Sequence, residues 1–515
     1  MGSKKLTMED FLVLGWPKGP MIGKAIQLQK EMSKRGVAPE AFLGDISAWE
    51  GVRLTPATKK EAKLASEISA WMAKNKPAPP DKAERQAMTA GASGTAGLFE
   101  EPCPFRIWGG ADIDPEAIQQ MREICRIAPA ARGALMPDAH VGYSMPIGGV
   151  LATRNAVIPT AVGVDIACRM RLTITTLPWD RFEGMADKLR KALVGETRFG
   201  VGAAFNKRDI REHDVMDDGR WAALPGDIRA KKDTAWEQLG SSGGGNHFAE
   251  WGAFSHSLTP EEAEKVGLGA LEPNKEHIAL LSHSGSRGLG ARTAEHFIHL
   301  AQDASPLPKE WRRLGWLPLQ SALGEQYWNC MNLCGDYASA NHQLIHKHVL
   351  KTAGLSGDVA LFVENHHNFA WKETHDGEEL IVHRKGATPA GEGVLGVIPG
   401  SMADPGFLVQ GLGSEASLNS ASHGAGRKMS RKGARERITP GEWRGYMKEH
   451  GVELLGGGID EAPQAYKDIR AVMANQGDLA RILGQFEPRV VLMASDQGAP
   501  KWARGKRGND AWVGE

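Results

Sequence analysis

Chemistry in this 515-residue chain gathers in a few short, glycine-rich stretches. In Ser422-His423-Gly424-Ala425-Gly426-Arg427 a histidine precedes two glycines and an arginine. Glycines remove side chains and permit positive φ, so successive N–H groups there can form an anion nest beside a guanidinium. The imidazole at its rim could serve as proton shuttle, metal ligand or covalent nucleophile. Four other segments end in a candidate ligand: Asp165 with Cys168, His247, His283, and His366 or His367. Each alone has an ordinary explanation, since a buried cysteine is usually inert core and a histidine near glycine is usually hydrogen-bonded structure. Together they offer one thiolate, one carboxylate and at least three imidazoles, enough for two divalent ions if the thiolate bridges them.

Those residues share a setting. Val162, Val164 and Ile166, then Arg171-Leu172-Thr173-Ile174, read as short strands interrupted near Ala167. On a regular strand positions 165 and 168 point to opposite faces, so Ile166-Ala167 must turn if Asp165 and Cys168 are to share a site. Ile278-Ala279-Leu280-Leu281 reads as a buried strand running into Ser282-His283-Ser284-Gly285-Ser286-Arg287-Gly288, with a helix carrying Ala291, Ala294 and Phe297 behind it. That order could place an anion at the helix N-terminus. Gly243-Gly244-Gly245 precedes Asn246-His247, and the strand Val359 to Val363 runs into Glu364-Asn365-His366-His367-Asn368. Helices are expected around Ile118, Met121, Ile124 and Cys125, from about Trp328 to His348, and twice between Asp460 and Phe486 with a break at Gly477. Apolar strand, glycine, polar residue is the texture of a site assembled on loops at strand ends.

Lys and Arg (62) balance Asp and Glu (62), so no global basic field attracts nucleic acid and any polyanion site must be local. Cys103, Cys125, Cys168, Cys330 and Cys334 are too few and too uneven for a disulfide framework, which points to a reducing compartment. No apolar run approaches a membrane span and MGSKKLTMED lacks the apolar core of a signal peptide, so the expected location is the cytoplasm, with no membrane partner. Ile22, Ile26 and Gln29 to Met32, then Leu64, Ile68, Trp71 and Met72, recur at helical spacing ahead of a Pro-rich, small-residue stretch. The expected organisation is a helical N-terminal extension over 1–75, a linker over 76–97, a catalytic domain over 98–494 and a basic, aromatic tail over 495–515. In that tail Lys501-Trp502-Ala503-Arg504 could grip single-stranded nucleic acid or simply end the chain.

MPDAHVGY, VGVDIAC, GGGNHF, HSGSRGLG, HHN, IPGSM, SHGAGR and DEAPQAYK occur in that order between about residues 104 and 494. With them the chain resembles the RtcB-type RNA ligases. The resemblance implies the fold class, α+β, in the family's own mixed architecture around a dinuclear metal site. It implies two manganese ions on Asp165, Cys168, His247, His283 and His367, the last preferred to His366 because Asn368 follows it. Cys168 would bridge, with His247 and His283 on one ion and Asp165 and His367 on the other. His423 matches the histidine that attacks the α-phosphate of GTP to form a covalent guanylyl intermediate. Asn246, Glu250, Asn368, Ser401, Gly424, Ala425, Gly426, Arg427 and Tyr466 match nucleotide-binding positions. Arg287, Lys428 and Arg431 are expected at RNA phosphates, although the run Arg427, Lys428, Arg431, Lys432, Arg435, Arg437 also fits a solvated basic face. The implied substrates are GTP and RNA with a 3′-phosphate or 2′,3′-cyclic phosphate end and a 5′-hydroxyl end, in tRNA splicing or RNA repair, with room for an activating protein partner. Manganese rests on the resemblance, since imidazole and thiolate with one carboxylate suit zinc at least as well.

Two departures fall on the guanine pocket. Gly406 stands where the family has a serine near the base, and Met493 where a lysine reaches the guanine; Asp404 or Lys501 could substitute. Polar readout discriminates better than shape, so these positions bear on base choice. Two readings therefore compete with the ligase: an end-capping or cyclic-phosphate-opening enzyme that does not seal or that uses ATP, and a non-catalytic RNA-binding module. A binder has no need of five ligands and His423 together.

Overall fold

The N-terminal helical spacing produces helices. Pro20–Ser33 begins with proline, whose missing N–H costs nothing in the first turn, and buries Ile22, Ala25, Leu28 and Met32 along one stripe. Lys59–Asn75 adds Leu64, Ala65, Ile68 and Met72 to the same small core. The computed structural model describes residues 97–494 throughout and, before them, residues 6, 7, 11, 19–39, 42, 46, 52 and 54–75. Most of the expected linker and all of the C-terminal tail, Lys501 included, lie outside the described residues. Met1–Arg85 with Glu212–Trp236 form one compact unit, and Gln86–Arg211 with Glu237–Glu515 form the other.

The larger unit carries two main sheets, their strands numbered in chain order. In the first, β1 (Phe105–Ile107) runs parallel to β2 (Ala130–His140), and β3 (Ile147–Thr153), β11 (Glu378–Lys385) and β10 (Asn368–His375) follow antiparallel. In the second, the order is β13 (Leu395–Ile398), β14 (Gly406–Gly411), β17 (Ala480–Met493), β6 (Phe248–Ser255), β7 (His277–Ser284), β5 (Arg169–Pro178) and β9 (Val359–His366), with β16 (Glu453–Gly456) alongside β17. Two short pairs join β4 (Ala156–Val157) to β8 (Leu317–Pro318) and β12 (Ala387–Pro389) to β15 (Ser420–Ser422).

β7 is buried along its whole length. Ile278 and Leu280 meet the helices Phe182–Glu196 and Ala322–Ala353 through Leu189, Ile345 and Val349, whereas Ala279 and Leu281 join the opposite core with Met170, Leu172 and Val363. A strand covered on both faces reads as a continuous apolar run, which is how it reads in sequence. The long helix is capped by the Ser321 hydroxyl at its start and ended by Gly354 in the left-handed region.

β6, β7, β5 and β9 are neighbours and alternate in direction. The starts of β5 and β6 and the ends of β7 and β9 therefore fall on one edge of the sheet.

Two expectations fail. Val162, Val164 and Ile166 are not in a strand: Pro159–Val162 is a short helical turn, Gly163 has φ +101°, and extended pairing begins only at Arg169. The predicted second helix between Asp460 and Phe486 is instead the start of β17, and only Ile469–Ala474 is α-helical there. β17 pairs with both β14 and β6, with irregularities at Leu408/Val409 and Pro488/Val490. Those bulges break the alternation that would have announced a strand, and tertiary pairing overrides the local pattern.

Candidate active site

That shared edge collects the predicted ligands. Cys168 immediately precedes β5, His247 immediately precedes β6, His283 lies one residue from the end of β7, and His367 immediately follows β9. Cys168 Sγ is 3.0 Å from His283 Nε2 and 3.5 Å from His247 Nε2. His283 Nε2 is 3.2 Å from His367 Nε2. His366 turns the other way, its ring packed against Phe369 and Trp371.

The required turn is present at Ala167, which has φ +59° and donates its N–H to the Asn368 carbonyl at 2.7 Å. It brings Asp165 back beside Cys168: Asp165 Oδ2 lies 2.9 Å from His247 Nε2, and Oδ1 accepts from the Ser286 N–H at 3.1 Å. Ser286 is the residue just before the helix Arg287–Ala304, so the anion at that helix N-terminus is the chain's own carboxylate. Gly285 leaves room for it, since a Cβ there would sit 2.2 Å from Asp165 Oδ1. Asp165 lies against His247, His283 against His367, and Cys168 against both His247 and His283.

Electrostatics follow from burial. Burial pushes the Asp165 carboxyl up, but the hydrogen bond and charge of His247, with Arg287 nearby, outweigh it and hold the group at about 2. Burial, reinforced by Asp165, raises the Cys168 thiol well above its ordinary range. Burial depresses His283 and His367 far below the usual imidazole value, so both are neutral. Neutral imidazoles whose nitrogens crowd together beside a thiol and a carboxylate are a donor set that fits cations. Cys168, His247 and His283 alone bring their ligand atoms within 4.8 Å of one another.

His423 faces this cluster, its ring centroid 5.0 Å from that of His367. The β12–β15 pair sets it there, with the Ser422 N–H further held by Gln476 Oε1 at 2.8 Å. Its Nδ1 is 2.7 Å from Oδ2 of Asp138, a fully buried carboxylate on a bulge near the end of β2. The same oxygen accepts the N–H groups of His423 (3.1 Å) and Gly424 (3.3 Å). The anion in this glycine-rich nest is thus Asp138. Gly426, at φ +72°, is required by space as well, because a Cβ would lie 2.0 Å from the Asp138 carbonyl oxygen. Burial pushes Asp138 up, yet the His423 hydrogen bond, with the charges of His423, His140 and Lys467, brings it below the ordinary carboxylate range.

Around this centre the other predicted residues take varied places. Arg427 is buried and donates to Glu461 Oε2 at 2.9 Å, the Asp460 carbonyl at 2.7 Å and the Met429 carbonyl at 3.0 Å. Tyr466 also donates to Glu461, and the Arg427 guanidinium lies 5.1 Å over its ring. Arg431 pairs with Glu461 at 3.0 Å and Arg435 with Asp460 at 3.0 Å, while Lys428, Lys432 and Arg437 are exposed. Much of the basic run is therefore engaged internally. Arg287 donates to Ser241 Oγ at 3.2 Å beside Gly243. The Asn368 amide is spent on backbone, donating to the Asp165 carbonyl and accepting from Gly386.

Asn246 is half-buried, its carbonyl 3.3 Å from His283 Nδ1. Ser401 and Tyr446 both donate to Asp404. Met493 packs in an apolar cluster with Met402, Met447, Val452 and Val491. Glu250 shares that face by register, opposite Val491, and burial pushes its carboxyl well above the ordinary value.

Sequence reasoning missed Asp138, Glu461 and Lys467. Asp138 had a signal, an acidic residue inside the apolar run Leu135-Met136-Pro137-Asp138-Ala139. Glu461 and Lys467 had theirs in the motif DEAPQAYK; Lys467 donates to the carbonyls of Pro137 (3.0 Å) and Ala139 (2.8 Å) and so braces the bulge that presents Asp138.

Comparison with known proteins agrees with this geometry. The family model for tRNA-splicing ligase RtcB matches residues 120–494. The chain is 33% identical over 413 residues to the RNA-splicing ligase RtcB of Escherichia coli (strain K12), covering 75% of this chain and 96% of that one. It is 29% identical over 466 residues to the tRNA-splicing ligase RtcB of Thermococcus kodakarensis, covering 75% and 95%. It is 30% identical over 438 residues to an RtcB homolog 2 of Entamoeba dispar, covering 73% and 83%. Eight motifs in order, a strand-edge cluster of thiol and imidazoles, and a match across most of the chain lead to one conclusion: this protein is a member of the RtcB family.

Proposed function

We propose that the protein is an RNA ligase that joins 3′-phosphate or 2′,3′-cyclic phosphate ends to 5′-hydroxyl ends through a covalent His423–GMP intermediate. The observation that carries this reading is the Asp138–His423 pair. A carboxylate accepts, so Nδ1 holds the proton and Nε2 carries the lone pair. Nε2 attacks the α-phosphorus of GTP, the bond to the β-phosphate oxygen breaks, and pyrophosphate leaves. Asp138 then stabilises the positive charge that builds on the ring. An oxygen of the RNA 3′-phosphate next attacks the guanylyl phosphorus and displaces His423. Finally the 5′-hydroxyl attacks the RNA phosphate, and GMP departs. A cyclic phosphate end is first opened by water.

Asp165, Cys168, His247, His283 and His367 would hold two manganese ions. Bound there, the ions would supply Lewis-acid stabilisation of phosphoryl oxygens. The exposed Lys428, and Arg287 beside the cluster, would meet RNA phosphates, whereas Arg427 holds the loop that carries the nucleophile.

A second reading, adenine in place of guanine, has its own observation. Glu250 is buried with no cation bonded to it among the described residues, and burial favours its neutral form, which both donates and accepts. That matches the N1 acceptor and N6 donor of adenine; the two N–H donors of guanine want an ionised carboxylate.

The test incubates purified protein with Mn²⁺ and α-labelled GTP or ATP and looks for acid-labile, alkali-stable label. Label from GTP that disappears in His423→Ala supports the ligase, with ligation the next assay. Label from ATP alone supports the second reading, and no label from either refutes both.

A further inference from the structure

The Ala322–Ala353 helix packs apolar side chains against the second sheet, yet at mid-length it buries Asn341, His342 and His346. Asn341 is fully enclosed and uses its whole amide. Its Oδ1 accepts the Gly240 N–H at 2.7 Å, and its Nδ2 donates to the Ser241 carbonyl at 3.1 Å and to Ser284 Oγ at 3.1 Å. The Ser284 hydroxyl, on β7, donates in turn to the Ser242 carbonyl at 2.8 Å. That carbonyl lies 2.9 Å from His247 Nδ1.

A carbonyl oxygen only accepts, so in that contact His247 Nδ1 donates, and Arg287 Nη1 lies further off, 3.4 Å from the same nitrogen. Nε2 is the nitrogen that faces Asp165 at 2.9 Å and Cys168 at 3.5 Å. The orientation of the Asn341 amide is itself settled by the backbone, since the Gly240 N–H can bond only an acceptor. One buried amide and one hydroxyl thus tie residues 240–242 to β7 and fix the ring plane of His247, with Nε2 turned toward the cluster.

We infer that Asn341, acting through Ser284 and the Ser242 carbonyl, is a positioning residue that presets His247 as a metal ligand. This rests on the metal reading proposed above. Outer hydrogen-bond partners of ligating histidines set ligand orientation and basicity, and losing one typically weakens metal binding roughly 10- to 100-fold.

The experiment titrates metal-free full-length protein with Co²⁺, reading the thiolate-to-cobalt charge-transfer band and competition against a chelator. Asn341→Ala and Ser284→Ala should each weaken cobalt binding roughly 10- to 100-fold and shift the ligand-field bands, with folding checked by thermal melting. Asn341→Asp keeps the acceptor for Gly240 but loses both donors, and should behave like Asn341→Ala. Ser284→Ala removes one hydroxyl and carries the test if the Asn341 variants do not fold. Wild-type affinity and spectrum in Asn341→Ala or Ser284→Ala, with His247→Ala impaired, would overturn the inference alone. Wild-type binding in His247→Ala would overturn the metal reading and the inference with it.

Discussion

Oδ2 of Asp138 and Nδ1 of His423 lie 2.7 Å apart although 285 residues separate them in the chain. The contact joins the first sheet to the loop after β15 and assigns the imidazole proton to Nδ1. It makes Asp138 the first residue to alter. Asp138→Ala would remove the acceptor that holds the proton on Nδ1 and the charge that faces the ring. We expect labelling of His423 by nucleotide to slow by about 10²- to 10⁴-fold, with metal content unchanged, measured by single-turnover adduct formation. Adduct formation at the wild-type rate would remove Asp138 from the mechanism.

Thiolate and imidazole bind zinc more tightly than manganese. Stoichiometric Zn²⁺ added to Mn²⁺-supported protein should therefore suppress adduct formation, and a zinc-selective chelator should restore it. Activity indifferent to zinc would count against the five-ligand site.

His383 sits wholly buried in β11, its Nε2 accepting the Ile158 N–H at 2.9 Å and its Nδ1 3.1 Å from the Leu151 carbonyl. Burial pulls it down to about 4. The unfolded chain takes up this proton near pH 6.5 and the folded chain only near 4, so the contribution is complete above about 6.5 and lost as pH falls to about 4. The loss is on the order of 3 kcal/mol. His342, pulled to about 3 by burial, adds in the same direction. Urea unfolding at pH 7.5 and 4.5 should show a smaller acid loss in His383→Gln than in wild type; equal losses would refute the assignment.

Gly243 has φ +94°, and a Cβ on it would fall 1.7 Å from Arg287 Nη1. Gly243→Ala should cost roughly 1–3 kcal/mol of stability and displace Arg287. Gly244→Ala, whose Cβ would meet nothing closer than 3.3 Å, is the control and should melt near wild type. A Gly243→Ala melt equal to the control would show that the glycine is dispensable.

His247, His283 and His367 were legible as candidates because each comes at the end of an apolar strand or a glycine run, whereas Asp165 and Cys168 sit between a helical turn and the start of β5; the order of all five along the chain matches one family. Even the turn at Ala167 was required by parity, since residues 165 and 168 cannot share a strand face. Other features resisted reading. β17 hides its alternation behind bulges and is a strand because β14 and β6 flank it. The grouping of Glu212–Trp236 with the N-terminal residues carries no mark in composition.

What the sequence determined by itself is the inventory: a cysteine, an aspartate, three histidines and a separate histidine among glycines, each at the end of a local pattern. Tertiary structure alone decided which partner each one meets. Asp138 reaches His423, Asn341 reaches Ser284, and Glu461 takes up Arg427 and Arg431, which sequence assigned to the nucleotide and to RNA. Hydrogen bonds of this kind join residues brought together by strand order and direction, and a periodicity read along one chain contains no information about which distant strand lies beside it.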